Sequence, residues 1–264
     1  MGRGERGVVA RLGALAAASP EGFSERVLER VGLARDRYAV VDHLSEPVYV
    51  AYDDAGVSFV RAVRHVGDAH AFERAFADHF GREVRRADAL PPDVAAALRD
   101  GRARGVRLDL AGLSDFERSV LRKTLDIPRG EVRTYAWVAG EIGRPRAVRA
   151  VGSALGRNPV PILLPCHRVV RSDGSIGEYI AGAGMKRSLL AREGAPVDEV
   201  ERLGRAGIRF LGSDTTHVFC VPSCRHARRV SPAHLVAFAR ADVPARRGYR
   251  PCRHCRPAPL ATGG

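Results

Sequence analysis

The spacing of hydrophobic positions changes several times along this chain, and each change marks a new segment. Over residues 1–46 apolar positions recur at helical intervals, as in Ser24–Val31, where Val27, Leu28 and Val31 share a face. This predicts an N-terminal helical extension carrying no evident chemistry. Alternation then takes over, with Val48, Val50, Val57, Phe59 and Val63 flanking the turn Asp53-Asp54-Ala55-Gly56, the pattern of a β-hairpin. A helical stretch from Asp68 to Phe80, a break at Pro91-Pro92, a short helix ending at Leu98 and a strand over Val106–Leu110 complete a small α/β unit, residues 47–110. It holds no nucleophile or metal cluster and reads as a scaffold.

A different unit, residues 111–195, opens at Ser114. Ser114 and Glu117 have the spacing of a capping box, in which each side chain satisfies the other residue's backbone N–H. Phe116, Val120 and Leu121 give that helix its apolar face, and Pro128 to Gly130 end it. Thr134 caps a second helix carrying Tyr135, Val138 and Ile142. Gly143 breaks it, and Pro145 opens a third helix, Arg146 to Leu155. Two short helices joined at Gly143-Arg144-Pro145 read as a helix-turn-helix. The apolar run Pro161 to Pro165 reads as a short buried strand. Beyond Gly194, residues 196–207 are charged and read as a linker, and Ile208 to Val221 as a hairpin of a small C-terminal module, residues 208–260. The predicted architecture is an α/β N-terminal domain, a mainly α, winged-helix-like domain containing the helix-turn-helix, and a small α/β domain whose four cysteines suit it to be zinc-bound.

Charge narrows the partners. The chain of 264 residues has 43 Lys plus Arg against 30 Asp plus Glu, a net +13 that favours a polyanion, with nucleic acid first. Lys123 and Lys186 are the only lysines, so codon bias toward arginine competes with this reading. Arg146, Arg149, Gly152 and Ser153 lie on the third helix among alanines and valines. Small residues there let a backbone approach DNA, and the arginines can reach phosphate or enter a groove. No stretch is apolar enough for a membrane span, and a reducing, cytoplasmic location and a monomer are expected. The cysteines number five, four of them near the C-terminus, a pattern that suits one free thiol plus a metal site.

The free thiol is Cys166, in Leu164-Pro165-Cys166-His167-Arg168-Val169-Val170. An adjacent imidazole is one of the few groups that turns a thiol into a nucleophile. A packed, inert cysteine is the alternative for Cys-His alone. The neighbouring residues add a resemblance. Tyr135, Arg149-Ala150-Val151-Gly152, Asn158-Pro159-Val160-Pro161-Ile162-Leu163, Pro165-Cys166-His167-Arg168 and Leu189-Leu190-Ala191-Arg192-Glu193 resemble the O6-alkylguanine-DNA alkyltransferases, over about residues 47–194. The resemblance implies double-stranded DNA containing O6-alkylguanine as substrate and a single, irreversible transfer of the alkyl group to Cys166. It implies that His167 is the base, acting through a water, and that Glu193 orients it. Asn158 would be the hinge residue, Tyr135 the contact to the flipped base, and Arg149 the finger that replaces that base in the stack. In the loop Gly177 to Gly182, Tyr179 fits the pocket, whereas Glu178 and Ile180 depart from the polar or small residues common there, which bears on the alkyl size accepted. Residues 47–194 are expected to act alone.

In the tail, Cys220-Val-Pro-Ser-Cys224 and Cys252-Arg-His-Cys255 are two close pairs 28 positions apart, a spacing suited to tetrahedral zinc, with disulfides as the alternative. From Val197 onward 12 arginines face 5 acidic residues. Thr216 to Cys224 and Gly248 to Cys255 resemble the Ada-type metal-binding domain, which in its own family stands N-terminal. That resemblance implies zinc on Cys220, Cys224, Cys252 and Cys255, DNA contacts from Arg225 and Arg250, and Cys220 as acceptor of methyl groups from methylphosphotriesters. Val221 and His254 stand where the family often has arginine, so a purely structural zinc module stays open. No length remains for the AraC-like domain of Ada-type regulators, so activation of that kind is not expected. The rival function is a DNA-binding sensor of alkylation damage.

Overall fold

The computed structural model describes residues 36–257 apart from 44–45, 101–102 and 104. The helix expected over Ser24–Val31 lies outside them.

The first sheet is built from β1 (Arg37–His43), β2 (Glu46–Asp53) and β3 (Gly56–Ala62), an antiparallel meander, with β4 (Arg85–Arg86) added in parallel at the edge of β1. The β2–β3 hairpin follows the expectation. Its turn is held by the Asp53 carboxylate, which accepts the backbone N–H groups of Ala55 and Gly56. β1 corrects the sequence reading, which assigned everything to residue 46 to a helical extension. Tyr38 is buried on one face and Ala39 on the other, while Val40 and Asp42 are exposed, so two adjacent residues are buried and the alternation that announces a strand is lost. The sheet therefore includes residues 37–43, ahead of the expected boundary at 47. One face of the sheet carries Tyr38, Tyr49 and Phe59 onto Phe72 and Phe76 of α1 (Ala69–Phe80). Opposite them, Ala39, Val48, Val50 and Val60 join the core that continues into the next domain. After α2 (Pro92–Asp100), Val106–Leu110 makes only an isolated bridge, Leu108 to Val57.

The second domain has α3 (Asp115–Lys123), whose Ser114–Glu117 capping box is formed, and the helix-turn-helix pair α4 (Tyr135–Glu141) and α5 (Val148–Gly156). Arg146 stands ahead of α5, in the turn, and not on the helix. Val120, Leu121, Val138, Val151 and Leu155 form the common core of the three helices. A two-residue strand, β5 (Arg133–Thr134), enters α4 and pairs in parallel with β6 (Val169–Val170). Pro161 to Pro165 is buried as expected but is not a strand. Pro159, Pro161 and Pro165 lack the N–H groups a ladder needs, and the segment runs through turns into a 3-10 turn at Cys166–Arg168. Within it Ile162 has φ 77, a costly conformation for a β-branched residue. α6 (Gly182–Arg192) follows.

Residues 196–207, read as a linker, are helical. α7 (Val197–Arg205) buries Val197, Val200 and Leu203, one stripe of an otherwise charged helix, and the first two pack on Val132, Val170 and Leu190. The approach is close enough that a Cβ on Gly204 would collide with the Asp173 carbonyl. The last module is a four-stranded sheet in the order β10-β8-β7-β9, formed by β7 (Phe210–Ser213), β8 (Val218–Cys220), β9 (Leu235–Phe238) and β10 (Arg250–Pro251), with α8 (Asp242–Arg246) before β10. No helix among the described residues is long and apolar enough to cross a membrane.

Candidate active site and metal centre

Cys166 lies at the floor of a cavity of about 290 Å³ lined by Tyr135, Gly152, Leu155, Gly156, Glu178, Tyr179 and Ile180. The thiol is 5% exposed. Its sulfur accepts a hydrogen bond from Asn158 Nδ2 at 3.0 Å, and the same amide donates to Leu164 O at 2.9 Å while Asn158 Oδ1 accepts from Val160 N–H at 3.0 Å. Asn158 therefore ties the end of α5 to the turn that carries the thiol. Burial pushes the Cys166 thiol up, and the Asn158 hydrogen bond and the charge of Lys186 only partly offset this.

His167 is 1% exposed, and its Nε2 lies 3.1 Å from Glu193 Oε1. An ionised carboxylate can only accept, so Nε2 carries the proton and Nδ1 is the bare nitrogen. Nδ1 is buried and has no hydrogen-bond partner among the described residues. Burial pulls the imidazole down, with Glu193 opposing. Burial also pushes the Glu193 carboxyl up, but the hydrogen bonds and charges of His167 and Arg168 outweigh it and hold the group at about 2. Arg168 makes a two-pronged pair with Glu193, 2.8 Å from Nε and 2.7 Å from Nη2, and gives Nη1 to Ile127 O. The Glu193 backbone is fixed as well, since Gly130, at φ +78, approaches so closely that a Cβ there would lie 2.8 Å from Glu193 O.

Four residues here escaped the sequence reading. Arg168 was seen only as part of a motif. Lys186, one of two lysines, is 1% exposed and donates to the carbonyls of Val169 and Glu178, joining the strand after the thiol to the pocket loop; burial pulls its amine down to about 8. Arg61 of β3 reaches Pro159 O at 3.1 Å, tying the first domain to the Asn158 turn. His43 of β1 shares a small cavity with His167 and Glu193. Arg168 carried its signal only as a motif residue and Lys186 only as a rare lysine in an arginine-rich chain.

Arg146, Arg149 and Ser153 are exposed, and neither arginine makes an ion pair or side-chain hydrogen bond among the described residues. Gly152 is half-buried in the pocket wall, and a Cβ added there would meet the Tyr135 ring at 3.9 Å, so the glycine leaves space beside that ring. Arg225 and Arg250 are exposed on the C-terminal module, apart from the Cys166 pocket.

In that module the sulfurs of Cys220, Cys224, Cys252 and Cys255 lie within 4.8 Å of one another, all four buried and none in a disulfide. Tetrahedral zinc with four thiolates at about 2.3 Å separates its sulfurs by about 3.8 Å, so the set fits the ion. Crowding makes the thiols oppose one another: hydrogen bonds from Cys224 and Cys255 push Cys220 up and those from Cys220 and Cys255 pull Cys224 down, a conflict that a cation resolves. Beside the cluster is a groove of about 650 Å³ that includes Thr216, Arg229, Arg250 and Arg253. The zinc-site cysteine in its lining is Cys252, and Cys220 is not part of that lining.

A family model described as the DNA-binding domain of 6-O-methylguanine DNA methyltransferase matches residues 115–195, and one described as the metal-binding domain of Ada matches residues 204–258. The methylated-DNA–protein-cysteine methyltransferase of Methanosarcina acetivorans is 34% identical over 163 residues, 60% of this chain and 98% of its own length. Proteins of the same name from Methanosarcina barkeri (50% identical over 80 residues, 30% of this chain) and Homo sapiens (49% over 94, 35%) are matched over 51% and 42% of their length. The chain thus spans about half the length of those two relatives. Among solved structures, Mycobacterium tuberculosis OGT in complex with DNA is similar at a TM-score of 0.50 and 30% identity, over 63% of this chain and 99% of that one.

Proposed function

Because the chain belongs to the methylated-DNA–protein-cysteine methyltransferase family, we propose that it repairs alkylated DNA by taking the alkyl group of an O6-alkylguanine onto Cys166. The observation that carries this reading is a buried cysteine, Cys166, that lines a cavity beside α5 and is held by Asn158, with the buried His167–Glu193 pair next to it in the chain.

Burial keeps Cys166 and His167 neutral at rest. The thiol proton passes, with a water between, to His167 Nδ1, and Glu193 stabilises the imidazolium through Nε2. The thiolate attacks the alkyl carbon. An S–C bond forms, the C–O6 bond breaks, and its electron pair leaves on guanine, which takes up a proton from the Tyr135 hydroxyl lining the cavity, while the proton held by His167 returns through water to the Tyr135 oxygen. The net exchange moves the alkyl group to sulfur and the thiol proton to the base. No step frees the thioether, so each molecule acts once. A base in a duplex cannot reach the cavity, so the nucleotide must be extruded, with Arg149 filling its place in the stack.

Zinc on Cys220, Cys224, Cys252 and Cys255 would fold the C-terminal module and hold its thiolates ionised at neutral pH. With Arg225, Arg250 and the groove arginines, that module adds a second grip on DNA, in a monomer working in the cytoplasm. Methylphosphotriesters are its proposed second substrate. The test of the main reading is intact mass after incubation with O6-methylguanine duplex. One added methyl group on Cys166, and none in Cys166→Ala, is expected, with DNA binding kept by the variant. Several turnovers per chain would overturn the single-use mechanism.

A further inference from the structure

The C-terminal module is packed against the catalytic domain through polar contacts, and the buried ones among the described residues converge on residues 131–137. Ser223, between two of the zinc-site cysteines, is 1% exposed. Its Oγ accepts the Val132 N–H at 3.0 Å and its hydroxyl donates to Val132 O at 2.8 Å. Glu131, 1% exposed, accepts from the Arg225 N–H at 3.1 Å, pairs with His254 Nε2 at 2.9 Å and holds Arg133 at 2.7 Å. Trp137 donates its indole N–H to the carbonyl of the zinc-site residue Cys255 at 3.0 Å. Arg256 lies over the same ring at 5.7 Å and pairs with Glu141 at the other end of α4. Each of these groups is costly to leave buried without a partner.

The segment they hold leads directly to the thiol pocket. Thr134 caps α4 by accepting the Trp137 N–H, Tyr135 lines the cavity, and β5 pairs with β6 immediately after Cys166-His167-Arg168. The two positions where the Ada-type pattern loses an arginine face this junction: His254 bonds Glu131, and Val221 borders the cleft it shares with Val132, Arg133 and Thr134. We propose that the zinc module is a positioning element for alkyl transfer at Cys166, its two cysteine loops fixing residues 131–137 and through them the Tyr135 wall of the pocket. Glu131, Ser223 and Trp137 are the positioning residues. This rests on the alkyltransferase reading and adds a coupling between metal occupancy and the thiol site that neither domain has alone. It also predicts that residues 47–194 by themselves are impaired, against the expectation from sequence, because they would expose Trp137, strip Glu131 of its contacts to Arg225 and His254, and leave the Val132 peptide groups without Ser223.

Trp137 is the only tryptophan in the chain, so its fluorescence reads the junction directly. The experiment uses the full chain with zinc, after chelation, and after zinc is restored, beside Ser223→Ala and Glu131→Gln with zinc. Wild type must first transfer one methyl group from O6-methylguanine duplex; if it does not, the alkyltransferase reading fails, and the coupling is judged on the fluorescence alone. Chelation is expected to shift the Trp137 emission to the red and zinc to restore it. Ser223→Ala is expected to keep one zinc per chain and unchanged affinity for undamaged duplex, to shift the emission partway, and to slow transfer at saturating DNA by roughly tenfold, within the usual range of coupled sites. Glu131→Gln should behave alike and more severely; Ser223→Ala is the decisive variant if Glu131→Gln fails to fold. Emission indifferent to zinc, or a Ser223→Ala protein with altered emission and wild-type transfer rate, would overturn the proposal.

Discussion

At the site, two ionisable groups carry the design, and burial acts on them in opposite senses. Desolvation alone would raise Glu193, yet Arg168 and His167 hold it at about 2 against its ordinary 4.5. A carboxyl lowered on folding stabilises the protein above its unfolded value, and that contribution disappears as pH falls. Here it is complete above about pH 4.5 and is lost toward pH 2, an effect of about 3 kcal/mol. Glu193→Gln should remove that pH dependence in denaturant unfolding measured from pH 6 down to pH 2, destabilise the protein at pH 7 by leaving Arg168 buried without its anion, and slow alkyl transfer by at least roughly tenfold through the loss of imidazolium stabilisation. A variant as pH-sensitive as wild type would mean that other carboxylates carry the acid response. Cys166, His167 and Glu193 were legible because a short motif fixes the first two and a helix end fixes the third. Lys186 and Glu131 were not, because a buried charge whose partners are backbone carbonyls or a residue 123 positions away leaves no local pattern.

Among the elements, those announced by local rules formed where the sequence put them. The Ser114–Glu117 box and the Asp53 turn are local chemistry, and both are present. β1 was missed because it buries adjacent residues, Tyr38 and Ala39, on opposite faces and so loses its alternation, and α7 because three apolar positions in nine residues look like a linker until something covers them. For α5 the sequence overextended the helix, so Arg146 and Arg149 stand in different settings. Arg146 projects from the turn beside the helix, while Arg149 is exposed on its first turn without a side-chain partner. That freedom suits a group that enters a base stack. Arg149→Ala should therefore cost duplex repair a factor of roughly 10 to 100, as unstacking costs a few kcal/mol, and should leave reaction with free O6-benzylguanine within about twofold. Single-turnover rates on the two substrates check this. Equal losses would mean that Arg149 acts in the chemistry or the fold.

Across the whole molecule, composition announced a basic chain and a four-cysteine site, but which surface faces which is a tertiary fact. The docking of the module beside α4 uses His254 and Val221, the positions where arginines for DNA would be expected, and Arg229, Arg250 and Arg253 line the groove beside Cys252. This bears on the second proposed reaction. In a Cys166→Ala chain loaded with zinc, methylphosphotriester DNA should transfer one methyl group to the tail. The resemblance names Cys220 as acceptor, whereas the groove is bordered by Cys252, so the modified peptide, 210–225 or 248–253, identifies the sulfur that reaches the phosphate. Coordination blunts a thiolate, so transfer depends on the groove arginines holding the triester, and Arg250→Ala should slow it by roughly tenfold. A methylated sulfur removes one negative charge from a zinc site that otherwise repels the backbone. DNA affinity should then rise, with a salt dependence steeper by about one phosphate contact in titrations of methylated and unmethylated protein. A tail peptide without added mass at saturating phosphotriester would leave the module its zinc and its grip on α4, as a structural partner of Cys166 and no second acceptor.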